Sequence, residues 1–480
     1  MKILMATSEF SPLASTGELG DQVGILATEL KRLGHDVSVV MPLYRIVRES
    51  KQDIRPTGTE FQVNLGGKRA TTDILETISS DGIQILMIRR DEYFDRSGIY
   101  GGDGRPYDDN AERFIFFSKV VLELAHRLTP SPEIIHCHDW TAALVPVFIE
   151  DRQSPFRTAL TIHNLEHQGS FWSFDFSLTN LPGSYFGPAG VEFYGRLNCL
   201  KGGILYADAV TLPGETSLFE AFTVRHSFGL DAVLRENHYK IFGISHGVDY
   251  SETNPPFTAL LGKHRKADQG KAGCREAVLE HLGLEQDLNG VVYSLPVEPQ
   301  DEEAFAAVKP FIDLILTGKA CLIVTGKVPD ADLGEVIVAE RKYPTRFSYR
   351  PQTDLKTRQL VLAGADAVLL PSSLGFRATT ALTAMRYGTL PVVRYRGGIN
   401  QIVLDCDPMT DSGNGFIYSD HSARALADSV HRVNELYQQR EPWSQLVARA
   451  QEVDHSWHQS AASFTKLYAN LLRHRAANAV

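Results

Sequence analysis

The sequence predicts an α/β protein of two doubly wound, Rossmann-like domains facing each other across a cleft. Three observations carry this. The chain of 480 residues is too long for one ordinary core and suits two domains of roughly 200 residues each. Short apolar runs alternate with helical stretches in the first half, and the alternation restarts in the second. Between the halves, residues 249–258 (DYSETNPPFT) are rich in proline and polar residues, as a hinge would be.

In chain order, residues 2–6 (KILMA) read as a short buried strand, followed by a loop over 7–20, a helix near 22–33 and a second strand over 36–42. That order is a parallel βαβ unit, and a ligand is expected at the carboxyl ends of such strands. Further apolar runs at 85–88, 134–136 and 158–162 each stand before a polar or glycine-bearing loop. In the second half, strands are expected at 290–294, 320–325, 367–370 and 390–393, with helices at 302–315 and 379–387 among them. Residues 457–475 read as an amphipathic helix that packs back on the first domain. The resulting division is 1–248, a hinge at 249–258, 259–455, and a terminal helix within 456–480. No internal repeat or low-complexity tract is evident.

Composition narrows the partners. Hydrophobic residues make 43% and charged residues 22%, the balance of a globular protein. A formal net charge of -10 disfavours nucleic acid, and says nothing against a neutral carbohydrate. Cys137, Cys199, Cys274, Cys321 and Cys406 are odd in number and widely scattered, so reduced thiols are expected, with neither zinc nor a disulfide frame. The first residues, MKILMATSEFSP, hold too brief an apolar run for a signal sequence, and no segment approaches about 18 uninterrupted apolar residues. The expected compartment is the cytoplasm, with no membrane partner and no cofactor or metal.

The chemistry-bearing motifs lie mostly in the first half: YGGDGRPYDDNAERFIFF at 100–117, HCHDWTAALVP at 136–146, TIHNLEHQGSF at 161–171, KGGILYADAVTLP at 201–213 and GISHGVD at 243–249. AGADAVLLPS at 363–372, RYGTLPVVR at 386–394 and HSWHQSAASFTKLY near the end follow. In order and spacing these resemble the ADP-glucose-dependent bacterial glycogen synthase and plant starch synthase family. The resemblance implies the GT-B form of the two-domain fold, with 1–248 on the acceptor side, 259–455 on the nucleotide-sugar side and the last helix crossing back. It also implies a retaining transfer of glucose from ADP-glucose to the end of an α-1,4-glucan, without a metal. Such a reaction must hold a pyrophosphate leaving group and stabilise its charge as it departs.

Most residues that the resemblance would assign to that task are replaced. The family's first loop, K-T-G-G-L-x-D, is here Ser15-Thr16-Gly17-Glu18-Leu19-Gly20-Asp21, so a lysine becomes Ser15 and a glycine becomes Glu18. Like charges about 4 Å apart repel by roughly 4 kcal/mol at an effective dielectric near 20, before solvent and rearrangement reduce it. The family's R-L-x-x-Q-K-G becomes Ser294-Leu295-Pro296-Val297-Glu298-Pro299-Gln300, so Ser294 and Pro299 stand for an arginine and a lysine. At roughly 1.5 to 3 kcal/mol per charge-assisted hydrogen bond, three missing cations imply a loss of order 5 to 9 kcal/mol if they act independently. The cleft glutamate of F-E-P-C-G-L-x-Q is replaced by Gly375, so no catalytic residue is assigned.

Asp139 and His163 match family positions that face the donor sugar, although a histidine at a strand end is as readily a satisfied core residue. His246 stands for a family asparagine and completes the retained cleft candidates. Tyr107, Asp108, Asn110 and Glu112 read as structural. Two newly placed arginines, Arg377 and Arg396, could form a replacement anion site beside a helix start near Thr379. Two readings therefore stand. One is a catalytically impaired relative that binds α-glucan or regulates; the substitutions count against a nucleotide sugar as its partner. The other is an active transferase using ADP-glucose or another nucleotide sugar at a re-formed phosphate site. Association with itself or with an active synthase is left open.

Overall fold

In the computed structural model, residues 1–480 are described except 51, 103, 225, 249–258, 261–269, 287–288, 298–301, 317–318, 372–376, 396–398, 408, 420–422 and 479–480. The chain forms two units, Met1–Gly247 with Trp457–Val480, and Val248–Ser456. The sequence-derived hinge at 249–258 lies outside the described residues.

The first unit is built on near-continuous apolar runs, which suit parallel strands covered on both faces. Its strands are β1 (Lys2–Ala6), β2 (Asp36–Pro42), β3 (Arg55–Leu65), β4 (Lys68–Ile78), β5 (Gln84–Arg89), β6 (Gly101–Gly102), β7 (Arg105–Pro106), β8 (Ile134–His138), β9 (Arg157–Thr161), β10 (Ser170–Phe171), β11 (Glu192–Phe193), β12 (Arg196–Asn198), β13 (Ala209–Leu212) and β14 (Ile241–Gly243). The main sheet runs β14-β13-β9-β8-β1-β2-β5-β4-β3. From β14 to β5 the pairings are parallel, and the hairpin of β3 and β4 adds an antiparallel edge. The strand order reverses between β1 and β8, so the crevice outside their carboxyl ends is where a doubly wound sheet offers a ligand site.

The first helix, Glu18–Arg32, buries Val23, Leu26, Ala27 and Leu30 along one face. It starts four residues before the sequence suggested. Gly20, which reads as a loop residue, lies inside it because the loop crosses closely: a Cβ there would stand 2.8 Å from the Ser15 hydroxyl oxygen. The last helix, Trp457–Asn478, belongs to the first unit, where Trp457, Ala461, Phe464 and Tyr468 join the core.

The second unit carries β15 (Val292–Pro296), β16 (Cys321–Thr325), β17 (Phe347–Arg350), β18 (Ala367–Leu370), β19 (Leu390–Arg394) and β20 (Phe416–Tyr418), all parallel in the order β17-β16-β15-β18-β19-β20. Its switch point falls between β15 and β18, and the loops following both strands include undescribed residues. The single helix expected at 302–315 is instead Glu302–Val308, a 3-10 turn over Lys309–Phe311, and Ile312–Ile315. Pro310 causes the break, since it has no N–H for the helical ladder.

One short recurrence links the units. Ala-Asp-Ala-Val opens β13 as residues 207–210 and β18 as residues 365–368. Asp208 accepts from the Thr158 backbone N–H (2.7 Å) and pairs with Arg157 (2.6 Å), tying β13 to the start of β9. Asp366 likewise accepts from the Val292 N–H (2.8 Å) and pairs with Arg275. No helix among the described residues is long and apolar enough to cross a membrane.

Candidate functional site

The site is assembled at the carboxyl ends of β1, β8 and β9. After β1, the buried Glu9 accepts from the Thr16 backbone N–H (2.6 Å), the Thr16 hydroxyl (3.0 Å) and the Tyr100 hydroxyl (2.6 Å). Those bonds pull residues 10–16 back over the strand end and fix where the first helix begins. At that start Gly17 is extended, Ser15 donates to the Gly17 carbonyl (2.7 Å), and Glu18 and Asp21 occupy the first turn. Ser15 and Glu18 are both exposed.

Asp139 closes β8 with φ 55°, a left-handed conformation uncommon for a residue with a side chain. Its carboxylate accepts from the His163 backbone N–H at 2.7 Å, bridging the ends of β8 and β9. Burial raises its pKa to about 7, against the opposing pull of the His163 and Asn164 amides.

Beside it stands a column of imidazoles. His136 and His138 lie two apart on β8 and so share one face of the strand, with ring centroids 4.1 Å apart. His138 stacks on His163 (5.4 Å), His163 lies 5.1 Å from His246, and His246 stacks on Trp457 (5.5 Å). Burial lowers all four pKa values, to about 3 for His136 and about 4 for His246, and well below the ordinary value for the middle pair. The column is therefore neutral near pH 7.

Hydrogen bonds give this column a direction. The Gln22 amide donates to the Glu18 carboxylate (3.2 Å), which turns its oxygen toward His163 Nδ1 (2.6 Å). His163 Nδ1–H then donates to Gln22, leaving Nε2 to accept from His138 Nδ1–H (3.1 Å). His138 Nε2 carries the remaining lone pair, buried and without a hydrogen-bond partner. At the other end, Tyr468 donates to His136 Nδ1 (2.8 Å), and His136 Nε2–H donates to Thr161 (2.6 Å).

Over residues 2–236 the chain matches the starch synthase catalytic domain family. It is 33% identical to a glycogen synthase of Syntrophotalea carbinolica across 98% of both chains, and 31% identical to glycogen synthase 2 of Geobacter sulfurreducens at the same coverage. This chain belongs to the glycogen synthase family. Among solved structures, the catalytic domain of starch synthase IV from Arabidopsis thaliana bound to ADP and acarbose superposes with a TM-score of 0.72 and 26% identity, covering 98% of this chain and 99% of that one. A sucrose-phosphate synthase from Thermosynechococcus elongatus, at 16% identity and a TM-score of 0.50, shares the fold alone. The fold is that of GT-B glycosyltransferases, and the function is of the glycogen and starch synthase type.

Within this glycogen synthase relative, Asp139, His163 and His246 come together, with Glu18 joined to them through Gln22. Both His163 ring nitrogens are engaged inside the unit, and its ring lies between those of His138 and His246. Ser294 lies in mid-strand on β15, buried between Ile323 of β16 and Val368 of β18. Arg377 is the first residue of the helix Arg377–Arg386, which begins two residues earlier than expected. Pro299, Gly375 and Arg396 lie outside the described residues.

Other residues of the family motifs serve the scaffold. Asn110 donates to the Tyr100 carbonyl (2.8 Å), Tyr107 accepts from the Gly98 N–H (3.1 Å), and Glu112 binds Lys68 and Tyr93. The fully buried Arg113 donates to the carbonyls of Tyr93 (2.7 Å) and Ile99 (2.9 Å). Sequence reasoning missed His138, Gln22, Glu9 and Tyr468. The alternation in His136-Cys137-His138 was the available signal for His138. The five cysteines are buried and unpaired, and the described residues include no group of His, Cys, Asp and Glu that could hold a metal ion.

Proposed function

We propose that this glycogen synthase relative is impaired in glucosyl transfer from ADP-glucose and acts in the cytoplasm by binding α-glucan or regulating its synthesis. The observation that carries this reading is the start of the first helix. A helix N-terminus beside a strand switch point is a ready anion site, because its amides are unpaired and its dipole is positive. Here Glu18 and Asp21 fill that turn, and no lysine or arginine occurs between Ile3 and Leu30. A diphosphate brought there meets the carboxylates of Glu18 and Asp21, and this segment of the chain supplies no cation to offset them. Ser294 supports the same reading, since a buried serine supplies no positive charge where the family motif carries an arginine.

Incorporation of labelled glucose from ADP-glucose into glycogen tests this directly. The expected outcome is no detectable synthesis, and synthesis at the rate of an ordinary glycogen synthase overturns the reading. Calorimetry with ADP, ADP-glucose and UDP-glucose gives a second readout. The paired change Ser15→Lys with Glu18→Gly is expected to raise ADP affinity by about tenfold or more, since a restored charge-assisted bond contributes roughly 1.5 to 3 kcal/mol.

A second reading, an active transferase with a re-formed phosphate site, is favoured by one placement. Arg377 is the first residue of the helix Arg377–Arg386, which follows β18 in the chain, and a helix start is where this reading expects a phosphate. On this reading nucleotide binds, weakens with salt, and is lost in Arg377→Ala and Arg396→Ala. Unchanged binding in both variants removes it.

A further inference from the structure

The small sheet β10-β12-β11 stands outside the main sheet of the first unit and carries exposed aromatic rings. Phe171 turns inward, its ring 5.6 Å from that of Trp140, the residue after Asp139. Strand alternation then sends Trp172 outward, where it is 69% exposed. The register pairs Phe171 with Leu197 and Phe193 with Arg196, so Trp172 and Phe193 flank Arg196 from opposite sides. Strands lie about 4.8 Å apart, which sets the two flanking positions about 10 Å from each other. Tyr194, in the turn after Phe193, is 84% exposed, and Phe174 is 81% exposed.

Two features set these rings apart from scattered surface residues. Tyr194 (φ 50°) and the half-exposed Phe228 (φ 51°), whose carbonyl accepts from Gln168 beside β12 (3.0 Å), both hold left-handed backbone conformations, each followed by a glycine of positive φ. A bulky residue there costs conformational energy, and neither ring recovers that cost by deep burial. The second feature is charge. Asp175 accepts from the Trp172 N–H (3.2 Å), Glu192 accepts from the Gly195 N–H (2.7 Å), and Arg196 donates to the Ser170 hydroxyl (2.9 Å) and carbonyl (3.1 Å). The charged groups are engaged in holding the turns, so the surface offers exposed ring faces bordered by hydrogen-bonding side chains, Asp175, Glu192 and Arg196. That suits an uncharged ligand with apolar C–H faces and polar edges, and the aromatic run from Trp140 through Phe171 joins it to the Asp139 site.

We propose that Trp172, Phe174 and Tyr194 form a surface platform on which an α-glucan chain stacks. The inference rests on the glucan-binding reading above and assigns it a place. The test is native gel electrophoresis of the full chain through gels containing glycogen, with maltoheptaose calorimetry alongside. The parent is retarded by glycogen. Trp172→Ala and Tyr194→Ala each weaken binding by about tenfold, the double variant loses it, and Trp172→Phe retains most of it. Thermal midpoints stay within a few degrees of the parent, because the deleted rings are exposed.

Equal glycogen affinity in parent and variants overturns the platform while leaving the glucan reading intact. A parent that binds neither glycogen nor maltoheptaose overturns both. Variants that change self-association by sedimentation, with glucan affinity unmoved, show the patch to be a contact with a second copy and overturn the proposal.

Discussion

Asp139 combines a left-handed backbone, a carboxylate tied to the next strand end and a pKa raised to about 7 by burial. A raised carboxylate pKa means that the folded state holds its proton more tightly than the unfolded chain. Its contribution to stability is present below about pH 4 and is lost as pH rises through about 7. Asp139→Asn keeps an oxygen to accept from His163 N–H and removes the buried charge. It is expected to stabilise the protein by about 1 to 2 kcal/mol at pH 8, after allowance for partial exposure, and by less at pH 5. Equal gains at both pH values, read from thermal melts, would count against burial as the cause. The histidine column works in the opposite sense. His136 and His246 have folded pKa values of about 3 and about 4, below the ordinary 6.5, so the unfolded chain takes up protons first as pH falls. Stability contributed by keeping them neutral is complete above about pH 6.5 and is lost on acidification toward those lower values. His246→Asn, which restores the family residue, should therefore move the acid-unfolding midpoint to lower pH. An unchanged midpoint would show that the other imidazoles, or carboxylates elsewhere, govern acid unfolding.

Each main sheet is locked by an aspartate that immediately precedes a strand and reaches the backbone of its neighbour: Asp208 onto β9, and Asp366 onto β15. Asp366 is the more buried of the two, so Asp366→Ala should cost about 3 to 5 kcal/mol by urea unfolding, and Asp208→Ala less. A loss below about 1 kcal/mol at Asp366 would mean that Arg275 and the Val292 N–H are served as well by water. These locks also mark what can be read from sequence. β1, β2 and β18 coincide with the apolar runs seen in the sequence, because a strand buried on both faces leaves a continuous signal with polar ends. The hairpin of β3 and β4 was not legible: it is half exposed, so its apolar residues alternate with threonine, glutamate and arginine and no run stands out. The two- and three-residue strands β10, β11 and β12 are too short for any period to register. At the site, Asp139 and His163 were legible through their motifs. Gln22 and Tyr468 were not, since the contacts that give them meaning join Gln22 to His163 across 141 residues and Tyr468 to His136 across 332.

At the scale of the whole molecule, the first unit is discontinuous: its strands come from the first half of the chain, and part of its core arrives with the last helix. Trp457 closes the imidazole column by stacking on His246, Phe464 lies 5.3 Å from His136, and Tyr468 supplies that histidine with a hydrogen-bond donor. His35 meets Thr465 (2.9 Å), and Ser460 donates to the Ser245 carbonyl (2.6 Å), so the helix is held along its length by the first unit. Full burial of an aromatic side chain contributes roughly 1.5 to 3 kcal/mol, so Trp457, Phe464 and Tyr468 together contribute on the order of 5 to 9 kcal/mol. That is comparable with the entire stability of an ordinary domain, about 5 to 15 kcal/mol. A chain ending at Ser456 should therefore fail to fold its first unit. The expected result is loss of hydrogen-exchange protection at β8 and β9, against which the helix packs, with protection at β15 and β16 retained. Tyr468→Phe isolates the polar part of the same interface. It keeps the ring and leaves His136 Nδ1 without its donor, so a loss of about 1 to 3 kcal/mol is expected. If the shortened chain retained protection at β8 and β9, the last helix would be a covering element and the imidazole column would stand without it.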